Sequence, residues 1–243
     1  PMIVRYRIID NELYRYFLDG EAISLKDNQT EKAIKTVLQR GPLPNMDFII
    51  SYIDAFPFGM EPPKAPLLVS AKLKGESNGI LIPDWRSIGA WWISDIKSVK
   101  RAHTPWEKKR QLALWRGGLT NTLRLELCKL SFEHPDLLDS RLSSAPSDEW
   151  DLLRGERCSW EEFLGCKYLP YVDGVMCAAP ALQWRLLSGS LTLKPDSEEI
   201  QWFYRALEPN VHYLPVKCDL NDLIGQILWA QEHDTECKVM AEN

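Results

Sequence analysis

Two arginines on either side of a glycine pair are the residues best placed to do chemistry in this sequence. In Gln111-Leu-Ala-Leu-Trp-Arg-Gly-Gly-Leu-Thr-Asn-Thr-Leu-Arg124, an apolar strand from Gln111 to Trp115 is expected to turn at Gly117-Gly118. A helix is expected to open near Thr120 or Asn121. A strand that turns on glycines into a helix N-terminus presents unpaired backbone N–H groups to an anion. Arg116 and Arg124 would add positive charge on both sides of that turn. Such an arrangement holds a nucleotide diphosphate without a metal. Glycines also end strands for steric reasons alone, and the segment by itself leaves both readings standing.

Asp54 is the second candidate. It closes the apolar strand Met46 to Ile53 and precedes a loop of aromatics and prolines, Ala55 to Pro66. In α/β folds ligands bind beyond the carboxyl ends of the strands. A carboxylate there, desolvated by Phe56, Phe58 and Trp85, would have its pKa raised towards that of a general base. The competing reading is an aspartate that caps a turn before Pro57. Asp84, beside Trp85, is the nearest rival acid. A second small-residue element, Asp173-Gly-Val-Met-Cys-Ala-Ala-Pro180, runs into a helix at Ala181. It would let a ligand approach the backbone, or serve only as a tight loop between packed elements.

Composition narrows the field. The net charge of -5 over 243 residues argues against a nucleic-acid binder, while leaving room for a local basic pocket. No apolar run approaches the roughly 18 residues that cross a bilayer. The six cysteines contain no C-x-x-C pair and the four histidines are scattered, so no zinc site is expected. A Cys158–Cys166 disulfide cannot be established from spacing, and Cys128 suits a buried thiol on the apolar side of a helix. There is no Asp-x-Asp triplet to hold a divalent ion against a diphosphate. No P-loop motif is present either. The ten tryptophans are expected mostly in the core, with one or two free to stack on a sugar ring.

The elements that must position these residues follow from periodicity. Val4, Tyr6 and Ile8 alternate towards a turn at Asp10-Asn11 and a return strand at Leu13 to Arg15. Glu31 to Arg40 has helical spacing. Strands are expected at Met46 to Ile53 and Leu67 to Lys72, with a largely irregular stretch from Gly79 to Trp92. Beyond the charged segment between Ile96 and Arg110, strands and helices alternate. Strand Leu112 to Trp115 precedes helix Thr122 to Ser131, and helix Ala181 to Leu187 precedes strand Ser190 to Lys194. Helix Ser197 to Ala206 is expected before strand Val211 to Val216, and Leu220 to Ala230 is amphipathic. That alternation indicates an α/β protein with a parallel sheet.

These residues resemble a known family, the CAP10-type glycosyltransferases, which include protein O-glucosyltransferases, fungal capsule xylosyltransferases and bacterial lipopolysaccharide-modifying proteins. The matching runs are Glu199-Ile-Gln-Trp-Phe-Tyr204, Leu207-x-Pro209-x-Val-His-Tyr-x-Pro-Val216 and Asp219-Leu220. Further matches are Cys166-Lys-Tyr168 with Gly174 and Gly189-Ser190-Leu191, and Pro105-Trp-x-Lys-Lys109 leading to Arg116-Gly117 and Arg124. In the first half the matches are Tyr6-Arg-Ile-Ile9, Asn11-x-Leu-Tyr14, Asp54-x-x-Pro57 and Pro83-x-Trp85.

The resemblance implies a GT-B-like architecture of two Rossmann-like lobes with a cleft between them. The first, 1–104, would be the acceptor side, and the second, 105–243, the nucleotide-sugar side. It implies an inverting, metal-independent transfer of a glucose- or xylose-class sugar from a UDP-sugar, with no further cofactor. Asp54 would be the base. Arg116, Gly117, Gly118, Thr120 and Arg124 would hold the diphosphate, while Val175, Ala178 and Ala179 lie against the nucleotide. Arg-Gly-Ser-Arg of many relatives is Arg116-Gly-Gly-Leu119 here. Their Arg-Phe-Lys is Ala181-Leu-Gln183, with Arg185 one helical step further on. These departures keep open a non-catalytic nucleotide-sugar-binding or structural protein. The short loop between Trp85 and Trp106, and a final helix missing after Asn243, suit a glycan, lipopolysaccharide or other lipid-linked acceptor better than a protein hydroxyl. The expected location is the cytoplasm, or the endoplasmic reticulum lumen if a signal peptide precedes this chain.

Overall fold

The computed structural model describes residues 3–16, 25–53, 64–177 and 180–243; Asp54, Ala178 and Ala179 lie outside them. The elements in chain order are β1 (Ile3–Ile9), β2 (Glu12–Tyr16), α1 (Leu25–Arg40), β3 (Met46–Ser51), β4 (Leu67–Val69), β5 (Lys72–Leu73), β6 (Ile80–Leu81) and α2 (Ala90–Arg101). They continue as β7 (Arg110–Gly118), α3 (Leu123–Glu133), β8 (Leu138–Ser144), α4 (Trp160–Leu164), β9 (Cys166–Pro170), α5 (Ala181–Leu186) and β10 (Leu191–Pro195). The last are β11 (Glu199–Ile200), β12 (Leu214–Val216), α6 (Leu223–Glu232) and α7 (Asp234–Glu242). They form two compact units. One comprises Pro1–Ile93, Val175–Pro180 and Glu198–Tyr204; the other comprises Ser94–Gly174, Ala181–Ser197 and Arg205–Asn243.

The first unit is built on a mixed sheet of order β2-β1-β3-β4-β6. Its hairpin turns at Asp10 and Asn11, whose φ values of 50° and 65° are the left-handed pair that matches the twist of two antiparallel strands. Alternate side chains Val4, Tyr6 and Ile8 of β1 face Phe48 and Ile50 of β3, and Leu38 and Ile34 of α1 cover them. Strands β3, β4 and β6 run parallel. Residues just past their carboxyl ends, among them Tyr52, Ser70 and Asp84, line one small cavity. Asp84 is 5% exposed and accepts a hydrogen bond from the backbone N–H of Arg86 at 2.9 Å.

The helix expected from Ser197 to Ala206 does not form. Glu199–Ile200 instead pairs antiparallel with Lys72–Leu73, and Tyr204–Ala206 is a single 3₁₀ turn. Glu199 Oε2 accepts from the Cys177 backbone N–H at 2.5 Å, and Gln201 Nε2 donates to the Cys177 carbonyl. Strand pairing and these side-chain bonds, both non-local, override the local helical pattern.

The second unit is a five-stranded, wholly parallel sheet of order β12-β10-β9-β7-β8. Numbered by appearance, its strands lie 2-1-3-4-5, a Rossmann-like doubly wound order. Helices cover both faces. Ala113 and Trp115 pack with Leu127 and Cys128 of α3, Ile227 of α6 and Met240 of α7, while Leu114 packs with Phe163 of α4 and Trp184 of α5. Alternation along β7 thus sends successive apolar side chains into two separate cores, so a one-residue slip would exchange them. The glycines expected to form a turn instead complete β7, paired with Leu142 and Ser144 of β8 across a register shift at Gly117/Gly118. Parallel pairing carries the strand further than its apolar run. The six cysteines are free thiols, and Cys128 is fully buried. Buried Lys109 fixes the start of β7, donating to Leu164 O at 2.5 Å and to Ser190 Oγ at 2.8 Å.

Candidate active site

The strand order of the second unit reverses between β7 and β9: the chain leaves β7 for β8 on one side, then crosses to β9 on the other. Helices diverge at such a point and leave a crevice beyond the strand ends. A cavity of about 530 Å³ lies there. Trp115, Arg116 and Gly117 from the end of β7, and Tyr171 and Val172 from just past β9, form part of its wall. Arg124 of α3, Ala181, Trp184 and Arg185 of α5, and Arg157, Cys158, Trp160 and Phe163 around α4 supply most of the rest. Among the described residues four arginines and no carboxylate line it, in a chain of net charge -5.

The guanidinium groups are not equivalent. Arg116 forms a bidentate pair with Asp139 at 3.0 and 2.9 Å, and its Nε donates to Glu156 O at 3.1 Å. Its charge is neutralised within the protein. Arg124 braces the backbone around the crevice, donating to Gly118 O at 2.7 Å, Asp173 O at 2.9 Å and Val172 O at 3.1 Å. Asn121 assists with bonds to Asp173 O and Gly174 O, both at 2.9 Å. Burial pulls the Arg124 guanidinium below its ordinary pKa.

Arg185 is 3% exposed and stacks on Trp184 at 4.3 Å. It donates to Pro170 O at 3.1 Å and Ala181 O at 2.8 Å, and its Nη2 makes no hydrogen bond among the described residues. Burial lowers its pKa as well. A bound anion would offset the desolvation of both groups.

The rest of the wall is apolar. Trp160 and Phe163 meet the Trp184 ring edge-on at 5.1 and 5.3 Å, and Cys158 is half-buried, its thiol pushed above the ordinary value by burial. A protonated thiol there is no nucleophile at neutral pH. Gly117 is required by close approach: a Cβ at that position would sit 2.5 Å from Cζ2 of Trp115.

Of the residues singled out in the sequence, Arg116, Gly117, Arg124 and Arg185 line this one cavity. Gly118 and Thr120 are not on its wall; Gly118 offers its carbonyl to Arg124, and Thr120 is exposed. Val175 is 60% exposed and belongs to the first unit. Asp54 comes three residues after the end of β3 and, with Ala178 and Ala179, is outside the described residues. Arg157, Trp160, Phe163 and Trp184 escaped notice in the sequence. The available signal was Ser159-x-x-Glu162, a capping box that starts α4 beside the crevice. Among the described residues no cluster of three metal-ligating side chains occurs, and no helix is long and apolar enough to cross a membrane.

The model of glycosyl transferase family 90 matches residues 1–243 of the chain. The chain belongs to that family. Among its relatives is human (Homo sapiens) protein O-glucosyltransferase 3, 29% identical over 256 residues, covering 99% of this chain and 49% of that protein. Protein O-glucosyltransferase 2 of Danio rerio is 38% identical over 152 residues, 60% of this chain and 30% of that protein. O-glucosyltransferase rumi of Drosophila pseudoobscura pseudoobscura is 31% identical over 235 residues, 88% of this chain and 56% of that protein. This family 90 chain thus spans about half the length of the curated relatives it matches.

Proposed function

We propose that this chain transfers a glucose- or xylose-class sugar from a UDP-sugar to an acceptor hydroxyl, with inversion and without a metal, in a GT-B-like enzyme. The observation that carries the donor reading is the cavity at the β7/β9 switch point, lined among the described residues by four arginines and no carboxylate. A diphosphate needs donors and positive charge, and the aromatic wall beside them suits the flat base of a nucleotide. The proposed donor site comprises Arg116, Gly117, Arg124 and Arg185, with Gly118 contributing the carbonyl that Arg124 holds. Asp54, following the first unit's strand β3, is the proposed base.

The names of the relatives, protein O-glucosyltransferases and an O-glucosyltransferase, favour glucose as the sugar. Those that name protein also favour a protein hydroxyl over the glycan or lipopolysaccharide acceptor expected from the sequence. A second reading, a nucleotide-sugar-binding protein without turnover, rests on Ala181, which puts a methyl group on the cavity wall where the family resemblance calls for an arginine.

Titration with UDP in excess EDTA tests the donor reading. Ligand at about 100 times its dissociation constant stabilises the fold by about 2.7 kcal/mol, so a rise in Tm is expected. No shift with UDP, or one that requires a divalent ion, would overturn it. UDP binding without transfer from UDP-glucose or UDP-xylose to any hydroxyl acceptor would establish the second reading.

A further inference from the structure

The four cavity arginines divide by what already holds them. Arg116 spends its charge on Asp139, and Arg124 spends three donors on carbonyls. Arg185 keeps Nη2 unbonded among the described residues. Arg157 is exposed at the cavity wall and makes no hydrogen bond or ion pair among the described residues. It is the most available of the four charges.

Its backbone, in contrast, is held on both sides. The preceding carbonyl, Glu156 O, accepts from Arg116 Nε at 3.1 Å. Two residues before it, Gly155 N–H donates to Leu142 O of β8 at 3.0 Å. Two residues after it, Ser159 N–H donates to Glu162 Oε2 at 2.7 Å, and Ser159 Oγ accepts from Glu162 N–H at 3.2 Å. A long cationic side chain free in solution but rooted in a pinned segment loses little backbone entropy when it closes on a ligand.

We infer that Arg157, together with Arg185, makes the direct contacts to the anionic group of the ligand, and that Arg116 is a positioning residue that roots Arg157 through Glu156. The ligand class is a nucleoside diphosphate or its sugar ester, so the inference rests on the donor reading above. Arg185 meets the diphosphate from within and Arg157 from the open side of the cavity. An exposed arginine also makes this contact more sensitive to salt than the buried one.

The test is calorimetric titration of wild type, Arg157→Gln and Arg157→Lys with UDP, uridine and inorganic pyrophosphate. Arg157→Gln should bind UDP and pyrophosphate about ten-fold more weakly, the scale of one lost charge-assisted hydrogen bond. Uridine affinity should be unchanged, and the Lys variant should recover part of the loss. The gap between wild type and Gln should narrow as salt is raised. Equal UDP affinity in wild type and Arg157→Gln overturns the inference. Pyrophosphate binding that depends on Arg157, in a protein that does not bind UDP, sustains the anion contact and overturns the donor reading. Binding of neither probe overturns both.

Discussion

Arg124 Nη1 donates to the carbonyl oxygen of Gly118 at 2.7 Å, so the helix after β7 holds the last residue of its own strand. The other two nitrogens of the same group reach the carbonyls of Val172 and Asp173 beyond β9. One planar fork thus ties together the two strand ends that border the crevice.

Replacing Arg124 with Ala would remove the guanidinium donor from those carbonyls, of which Asp173 O keeps Asn121 Nδ2. A stability loss of about 1–3 kcal/mol is expected, read as a lower urea midpoint. UDP binding should weaken by roughly 1.5–3 kcal/mol as the nearby positive charge and the crevice geometry it braces are lost. Arg124→Lys keeps the charge but not the fork, so it should restore little of the stability. Wild-type stability and UDP affinity in the Ala variant would remove Arg124 from the site.

Asp54→Asn keeps the side chain's shape and removes its basicity. Single displacement needs the acceptor hydroxyl deprotonated as it attacks, and a general base contributes about 10²–10⁴-fold in rate. Transfer should fall by that factor while UDP affinity stays near wild type. Near-normal transfer in a folded Asn variant would place the base elsewhere, with the buried carboxylate of Asp84 the next to examine.

Gly117→Ala would bring a methyl group to 2.5 Å from the Trp115 ring, which is itself 2% exposed and fixed in the core. Overpacking of that kind costs about 1–3 kcal/mol. Since Gly117 and Trp115 both line the cavity, UDP affinity should fall together with the urea midpoint. An alanine variant as stable as wild type would show that the ring can move aside.

Acid should act through Asp234. Burial pushes its pKa up, but hydrogen bonds from Lys167 Nζ and Trp106 Nε1 outweigh that and leave it below the ordinary carboxylate value. A depressed folded pKa means that the unfolded chain binds more protons. The contribution is therefore complete above the unfolded value of about 4 and is lost as pH falls through the folded one. Asp234→Asn should be less stable than wild type at neutral pH, with the gap closing in acid. A gap that stays constant with pH would show that the pair adds nothing through its charge.

What the sequence determined by itself is local in its physics. Alternation and the Asp10-Asn11 pair specify the first hairpin, because left-handed φ values at two adjacent polar residues suit that turn. Helical spacing specifies α1, and the apolar run before Gly117 specifies β7, because side-chain periodicity is a property of neighbouring residues. The helix–strand succession of α5 and β10 was legible for the same reason. What only the tertiary structure decided is which groups are already spent. Asp139 lies 23 residues beyond Arg116 and meets it because β8 pairs beside β7. Two of the three acceptors of Arg124 come from beyond β9, on the other side of β7. Glu199 and Gln201 find Cys177 rather than a helix of their own. A guanidinium keeps its donors for a ligand only where the fold brings it no acceptors. That depends on strand order, which periodicity along the chain does not encode, so Arg157 became visible as a binding residue only once its neighbours' partners were known.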